Sequence, residues 1–158
     1  MKPVTFACRE QLALAPEEMA EQILDLSKWP EFAGYGPLPG IRAAEFEVRR
    51  PEIVGTRIRV TNRDDSSHVE EIVEWLPSQR VRLEMSAFSL PISRLATSFD
   101  ELWEFERVGS GTHVTRSFRL HAKAAWSWCV LWGISWLLKK AIARHLRQMR
   151  TTVERALS

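Results

Sequence analysis

The sequence predicts an α+β fold in which a curved antiparallel sheet of about seven strands wraps around a long C-terminal helix, with two short helices after the first strand. Three observations indicate this. Residues 126–157 contain no proline and are rich in strong helix formers. Residues 41–120 alternate apolar and polar side chains with a period of two, between turn signals. Because the apolar face of such a sheet needs a cover, we expect the helix to supply it.

The first 40 residues predict a strand and two short helices. Apolar side chains alternate with other residues from 3 to 12, which is typical of a half-buried strand. Pro16 suits the first position of a helix, and two glutamates follow it near the positive end of the helix dipole. A short second helical turn is expected over residues 28–32. The glycine- and proline-rich segment 34–40 predicts a loop.

Consecutive strands follow, separated by turn residues such as Pro77 and the Gly109–Gly111 segment. Residues 86–98 show no clean period. Elsewhere the alternation assigns one set of side chains to the inner face of the sheet. This set consists of Ala44, Phe46, Val48, Thr56, Ile58, Val60, Asn62, Val69, Glu71, Val73, Trp75, Val81, Leu83, Met85, Phe99, Glu101, Trp103, Phe105, Val114, Arg116, Phe118 and Leu120.

The C-terminal helix is predicted to span residues 126–157. At about 1.5 Å per residue it would be on the order of 45 Å long, so the sheet must cover its apolar stripe. Stepping about 100° per residue, one face carries Leu131, Ile134, Leu138, Ile142, His145, Met149, Val153 and Ala156. The opposite face carries Lys140, Arg144, Arg147, Thr151 and Arg155.

Composition excludes several classes of protein. The net charge is +2, so no global field recruits nucleic acid. The two cysteines have neither metal-ligand nor redox spacing. The N-terminus lacks the apolar run of a signal peptide, and the most apolar window, 124–138, is shorter than the roughly 18 residues of a spanning helix. We expect one domain over residues 1–158, cytoplasmic or peripheral to a membrane, without a cofactor.

Several local motifs occur in the order found in a known superfamily. They are Ala15-Pro16-Glu17-Glu18, Asp25-Leu26-Ser27-Lys28-Trp29-Pro30-Glu31-Phe32, Val54-Gly55-Thr56, Glu74-Trp75-Leu76-Pro77 and Gly111-Thr112-His113-Val114-Thr115. With these motifs, the chain resembles the START-like, helix-grip superfamily (SRPBCC type), which includes polyketide cyclases/dehydrases and lipid-transfer proteins. The resemblance implies a deep apolar cavity between sheet and helix, whose mouth lies near the loop after the second short helix. Because members are enzymes, carriers or ligand sensors, it leaves the chemistry open.

Three charged side chains fall on the predicted inner face: Glu71, Glu101 and Arg116. Pairing the last two strands through the Gly109–Gly111 turn puts Arg116 opposite Trp103 and diagonal to Glu101. A buried charge is costly unless it is paired. Three interpretations remain open: an ion pair that closes the core, a polar anchor or general base for a ligand, or a strand bulge that turns one residue outward.

Histidines offer few further candidates. His145 lies on the apolar stripe of the helix, either as a hydrogen-bonded core residue or as an acid, base or ligand contact. His68, His113 and His121 are predicted on outer faces. No pair of histidines has metal-ligand spacing with an acid, so no metal is expected. The candidates for catalysis are therefore Glu71, Glu101 and His145.

Seven tryptophans are an unusual number for this length. Trp128, Trp132 and Trp136 recur every four residues and drift away from the apolar stripe. This drift makes the first half of the helix apolar all round, which indicates cover on more than one side. The cover is either a loop such as residues 88–95, a second copy of the chain, or a membrane surface whose headgroups meet the basic residues that follow.

The hypothesis that best fits these patterns is a binding module for a small hydrophobic molecule, such as a lipid, an isoprenoid quinone or an aromatic polyketide. The alternatives are a cyclase/dehydratase-like enzyme that uses a carboxylate in the pocket, and a carrier at a membrane surface. The expected ligand-binding residues are Phe46, Ile58, Val60, Trp75, Met85, Phe99, Trp103, Arg116, Phe118, Leu138, Ile142 and Met149.

Overall fold

The computed structural model describes all 158 residues. Its strands are β1 (Val4–Leu12), β2 (Gly34–Tyr35), β3 (Leu38–Pro39), β4 (Ile41–Val48), β5 (Arg57–Asn62), β6 (Ser67–Leu76), β7 (Arg80–Ser86), β8 (Ala96–Val108) and β9 (Gly111–Ala122). Its helices are α1 (Pro16–Leu24), α2 (Ile92–Leu95) and α3 (Ala125–Leu157), and a 3₁₀ helix covers Leu26–Glu31.

Seven strands form one antiparallel sheet in the order β1-β9-β8-β7-β6-β5-β4. Neighbouring strands are consecutive in the chain except for β1, which pairs with β9 at one edge. Side chains from α3 pack against the inner face of this sheet, with Leu131, Ile142 and Leu146 almost fully buried. The predicted α+β helix-grip fold is therefore confirmed, and the apolar stripe of α3 is its central contact. No helix combines the length and the apolar character needed to cross a bilayer.

Strand β6 differs from the prediction in the phase of its alternation. Its pairing with β7 shifts register between Ile72 and Glu74, which is the signature of a β-bulge. Before the bulge, Ile72 lies opposite Leu83, a core residue. The side chains that share the inner face with Ile72 are therefore His68 and Glu70. The inward position of Glu71 and the outward position of His68 that simple alternation predicts are both wrong, because a one-residue slip exchanges the two faces of a strand. The alternative interpretation, a strand bulge that turns one charged residue outward, holds for Glu71.

The segment 34–40, predicted as a loop, forms a small hairpin of β2 and β3. Gly34 has a φ of 75°, and a Cβ on this residue would collide with the backbone carbonyl oxygen of Leu38. Only glycine fits this close approach. The hairpin contacts α3 through Tyr35, whose ring lies edge-on to Trp136 at 6.4 Å between centroids. Pro37, Leu38 and Pro39 of this hairpin line a cavity between the sheet and α3.

Candidate functional site

A cavity of about 420 Å³ lies between the inner face of the sheet and α3. The apolar part of its wall comes from nearly every element of the fold. It includes Met19, Ile23, Trp29, Phe32, Leu38, Ile41, Leu83, Met85, Phe88, Ile92, Phe99, Trp103, Phe118, Ile134, Leu137, Leu138, Ile142 and Met149. Such a volume falls within the range of roughly 300–1,000 Å³ that is typical of small-molecule sites.

The structure places eight of the twelve expected ligand-binding residues on this wall, and Glu101 and His145 lie there too. The eight are Met85, Phe99, Trp103, Arg116, Phe118, Leu138, Ile142 and Met149. The cavity does not extend to the other four. Ile58 and Val60 are fully buried, Phe46 lies beneath the Arg49 guanidinium, 4.6 Å from its ring centroid, and Trp75 packs against the core.

Sequence reasoning missed the wall that the connecting segments supply. Trp29 and Phe32 come from the 3₁₀ helix and its C-terminal end, Leu38 from the small hairpin, and Phe88 and Ile92 from the segment between β7 and β8. These segments have no regular period, so no alternation could assign a face to their side chains. The available signal was the presence of large apolar residues inside segments that were otherwise expected to be solvated loops.

A buried polar group stands on the sheet side of the cavity. The Arg116 Nε–H donates to Glu101 Oε2 at 2.8 Å, and the Arg116 Nη2 group donates to the same oxygen. Both side chains are less than a tenth exposed. The Arg116 guanidinium also stacks over the Trp103 ring, 4.0 Å from its centroid. Of the three interpretations, the Glu101–Arg116 ion pair is therefore present. Trp103 lies opposite Arg116 in the register, as predicted.

His145 joins this group from α3, because its Nδ1 lies 3.1 Å from the Arg116 Nη1 atom. Burial and the nearby Arg116 charge lower the pKa of His145 to about 3, so the ring is neutral near pH 7. A guanidinium can only donate a hydrogen bond, which means that Nδ1 accepts and the proton sits on Nε2. The Nε2–H makes no hydrogen bond to the protein, and the side chain is part of the cavity wall. His145 is thus a neutral residue of the cavity wall whose Nε2–H is free to donate.

Two buried carboxyl groups lie on the same wall. Burial raises the pKa of Glu101 above its usual range; the positive charge of Arg116 opposes this effect, and the negative charge of Glu70 adds to it. Glu70 is itself buried, and its Oε2 lies 2.9 Å from His68 Nε2. Both Glu70 and His68 line the cavity. The site therefore holds a carboxyl–guanidinium pair, Glu101–Arg116, and a carboxyl–imidazole pair, Glu70–His68, among apolar side chains.

Glu71, a candidate for catalysis at the level of sequence, lies outside this site. Its carboxylate pairs with Arg57 at 3.4 Å, and both side chains are about two-fifths exposed. Its cross-strand neighbour on β7 is the exposed Glu84. The bulge in β6 explains this position, since it brings Glu70 rather than Glu71 to the inner face.

α3 carries four tryptophans, and the first of them, Trp126, is 63% exposed. Trp128 is half-buried and donates its indole N–H to the Lys2 carbonyl at 3.0 Å. Trp132 and Trp136 are 62% and 54% exposed. Residues 92–95, which form α2, contact α3. They leave Trp132 and Trp136 exposed, so the interpretation that residues 88–95 cover the helix is wrong for these two side chains. The sequence hypotheses of a second copy or a membrane surface stay open for these two residues.

Comparisons with known proteins agree with the geometry. Residues 4–154 match the model of a family described as polyketide cyclase/dehydrase and lipid transport. No curated protein sequence matches the chain.

Among solved structures, TTHA0849 from Thermus thermophilus superposes with a TM-score of 0.71 at 16% identity, covering 98% of this chain and 99% of that one. A START superfamily protein from Mycobacterium smegmatis gives 0.71 at 10% identity, with 96% and 98% covered. The di-domain ARO/CYC StfQ of the steffimycin biosynthetic pathway gives 0.70 at 20% identity, and the match covers 99% of this chain and 52% of StfQ. At these identities the structures share the fold alone.

Proposed function

Because the chain belongs to the polyketide cyclase/dehydrase and lipid-transport family, we propose that it binds a small hydrophobic molecule that carries a carbonyl or hydroxyl oxygen. The apolar body of this ligand lies between the sheet and α3. Its oxygen accepts a hydrogen bond from the buried polar group that Arg116, Glu101 and His145 form. Family and fold support hydrophobic-ligand binding or cyclase-like activity; the ligand's polar chemistry comes from the site itself.

The observation that carries this proposal is the donor at His145. Its Nδ1 is engaged by Arg116, and its neutral state follows from a pKa of about 3. An apolar pocket with a few placed polar groups is the usual form of a small-molecule site, in which the polar groups fix the orientation of the ligand. A neutral N–H donor favours an oxygen acceptor without requiring a charged ligand. The apolar side chains that form most of the cavity surface favour an apolar ligand body.

The size of the cavity narrows the ligand class. A volume of about 420 Å³ suits a fused aromatic polyketide or a single-chain lipid as a whole. An isoprenoid quinone would place its head group inside and leave part of its tail outside. In each case the carbonyl or hydroxyl oxygen is the group that His145 would hold.

Native mass spectrometry of the protein as purified from cells, followed by extraction with organic solvent, tests the proposal. We expect an apolar molecule of defined mass to accompany the protein. Leu138→Trp fills the cavity from α3 and should abolish this co-purification, whereas Gln148→Trp on the exposed side of α3 should leave it unchanged. Retention of the molecule by the Leu138→Trp variant would contradict binding in this cavity.

The role of His145 is tested by two substitutions with opposite chemistry. His145→Gln keeps an acceptor for Arg116 and an N–H donor, so ligand occupancy should be largely retained. His145→Leu removes both and should weaken binding about tenfold, in line with the net value of one buried hydrogen bond. Circular dichroism of both variants shows whether the fold is intact. Equal occupancy in folded His145→Leu would show that the ligand does not use this donor.

Catalysis of the cyclase or dehydratase kind is a second candidate, and the His68–Glu70 pair favours it. A carboxylate held by a histidine inside an apolar pocket has the properties of a general base that removes a proton next to a carbonyl. Glu70→Gln and Glu101→Gln would each be assayed for turnover of a poly-β-carbonyl thioester, with Glu71→Gln as the surface control. Turnover lost in Glu70→Gln alone supports catalysis by this pair, and turnover equal to the control argues for binding only.

A further inference from the structure

α3 exposes three tryptophans, Trp126, Trp132 and Trp136, and the last two lie beside a group of cations. Trp132 and Trp136 are 62% and 54% exposed, one turn apart on the helix. The Trp136 ring lies edge-on to the Tyr35 ring, and the Lys140 ammonium lies 5.5 Å from its ring centroid. We call Trp132, Trp136, Tyr35 and the four cations described next the tryptophan face. Tryptophan at such a position is typical of the boundary between water and lipid, where one edge of the indole is apolar and the other is polar.

Four cations share this face: Lys139, Lys140, Arg144 and Arg147. None of them forms an ion pair in the structure, whereas Arg150, further along α3, is paired with Glu10 and Glu154. The first acidic residue of α3 is Glu154. The positive charge beside Trp132 and Trp136 is therefore not neutralised within the molecule.

We propose that the tryptophan face docks the protein on a lipid bilayer that contains anionic headgroups. The two indoles enter the headgroup region, and the four cations meet the negative surface charge. A second copy of the chain fits this face less well. A twofold dimer places the same patch on both partners, so it would bring these cations against themselves.

The tryptophan face lies next to the part of the cavity wall that the small hairpin forms. Tyr35, which contacts Trp136, belongs to the small hairpin, and Pro37, Leu38 and Pro39 of that hairpin line the cavity. Leu137, the residue after Trp136, lines it as well. Docking would therefore bring the hairpin wall of the cavity close to the bilayer. The docking itself requires no ligand and does not depend on the function proposed above.

Co-sedimentation of the whole protein with vesicles tests the proposal. The probes are vesicles of phosphatidylcholine alone and of phosphatidylcholine mixed with phosphatidylserine. We expect binding to the mixed vesicles that weakens as salt is added, because the attraction is screened. Trp132→Ser/Trp136→Ser should weaken binding at least about tenfold. Lys139→Gln/Lys140→Gln should weaken it on the order of 30-fold, and only on the anionic vesicles.

Two control variants remove the same kinds of side chain, apolar or cationic, from other surfaces of the protein. Leu76→Ser/Val108→Ser deletes two exposed apolar side chains at strand turns, and Arg9→Gln/Arg119→Gln deletes two exposed cations from the outer face of the sheet. Both pairs should bind the mixed vesicles like the parent protein, and circular dichroism checks that every variant is folded. Absence of binding to mixed vesicles, or equal loss in the controls, would overturn the proposal. So would a dimer by native mass spectrometry that dissociates in the tryptophan variant without any vesicle binding.

Discussion

The two faces of the sheet carry the same kind of ion pair in opposite surroundings. On the inner face, Glu101 and Arg116 are less than a tenth exposed and share their site with a histidine and a tryptophan ring. On the outer face, Arg57 and Glu71 are about two-fifths exposed and bond at 3.4 Å. The comparison teaches that burial, rather than the identity of the two residues, decides what a pair does. The inner pair organises a site, and the outer pair is a solvated contact.

Removal of one partner of the inner ion pair should cause the largest loss in the free energy of unfolding. Arg116→Met leaves the Glu101 carboxyl buried without its counter-charge, and we expect the free energy of unfolding to fall by about 3–5 kcal/mol. The double variant Glu101→Leu/Arg116→Met should recover most of this loss, because no charge is then left unpaired. Urea unfolding followed by circular dichroism measures both. A cost for Arg116→Met below about 1 kcal/mol would show that the inner pair behaves like a surface pair.

Much of this inner site could be predicted from the sequence, because short-range features of the chain determine it. The turn at Gly109–Gly111 determines the register of β8 and β9, and that register brings Trp103, Arg116 and Glu101 together. The helical period in turn assigns His145 to the face that meets them. A short turn and a regular period are both visible in the sequence, so they show which side chains lie close together.

The rest of the site depends on tertiary structure. The bulge in β6 exchanges Glu71 for Glu70, and it arises from the pairing of β6 with β7, to which the alternation pattern is blind. Trp29 and Phe88 reach the cavity from irregular segments whose path depends on the packed sheet and helix. Sequence reasoning therefore found the regular half of the site and missed the part that irregular backbone supplies.

The next largest effect concerns pH, and His145 is its source. Its pKa is about 3 in the folded protein against 6.5 without burial, so below pH 6.5 the unfolded chain binds a proton that the folded protein does not. The stability that His145 contributes is therefore present above pH 6.5 and is lost as pH falls towards 3, by up to about 1.4 kcal/mol per pH unit. Unfolding curves measured across this range detect the slope.

His145→Gln isolates this contribution, since glutamine keeps the contact with Arg116 but does not titrate. The free energy of unfolding of the parent minus that of the variant should increase as the pH rises from 3 to 6.5 and then stay constant. Glu101 acts in the opposite direction: its raised pKa makes its own contribution decrease as pH rises through the range between its unfolded and folded values. A constant difference between parent and variant at all pH values would contradict a depressed pKa at His145.

The smallest effect is expected for neighbours that differ by one position in the sequence, Glu70 and Glu71. Glu71→Gln breaks only the exposed contact with Arg57 and should change the free energy of unfolding by at most about 1 kcal/mol. Glu70→Gln keeps the shape of the side chain but removes a negative charge that raises the pKa of Glu101. Carbon-detected NMR titration of the Glu101 carboxyl should therefore show a lower pKa in Glu70→Gln and no change in Glu71→Gln. If Glu71→Gln moved that pKa and Glu70→Gln did not, β6 would have the phase that simple alternation predicts, and Glu71 would belong to the site after all.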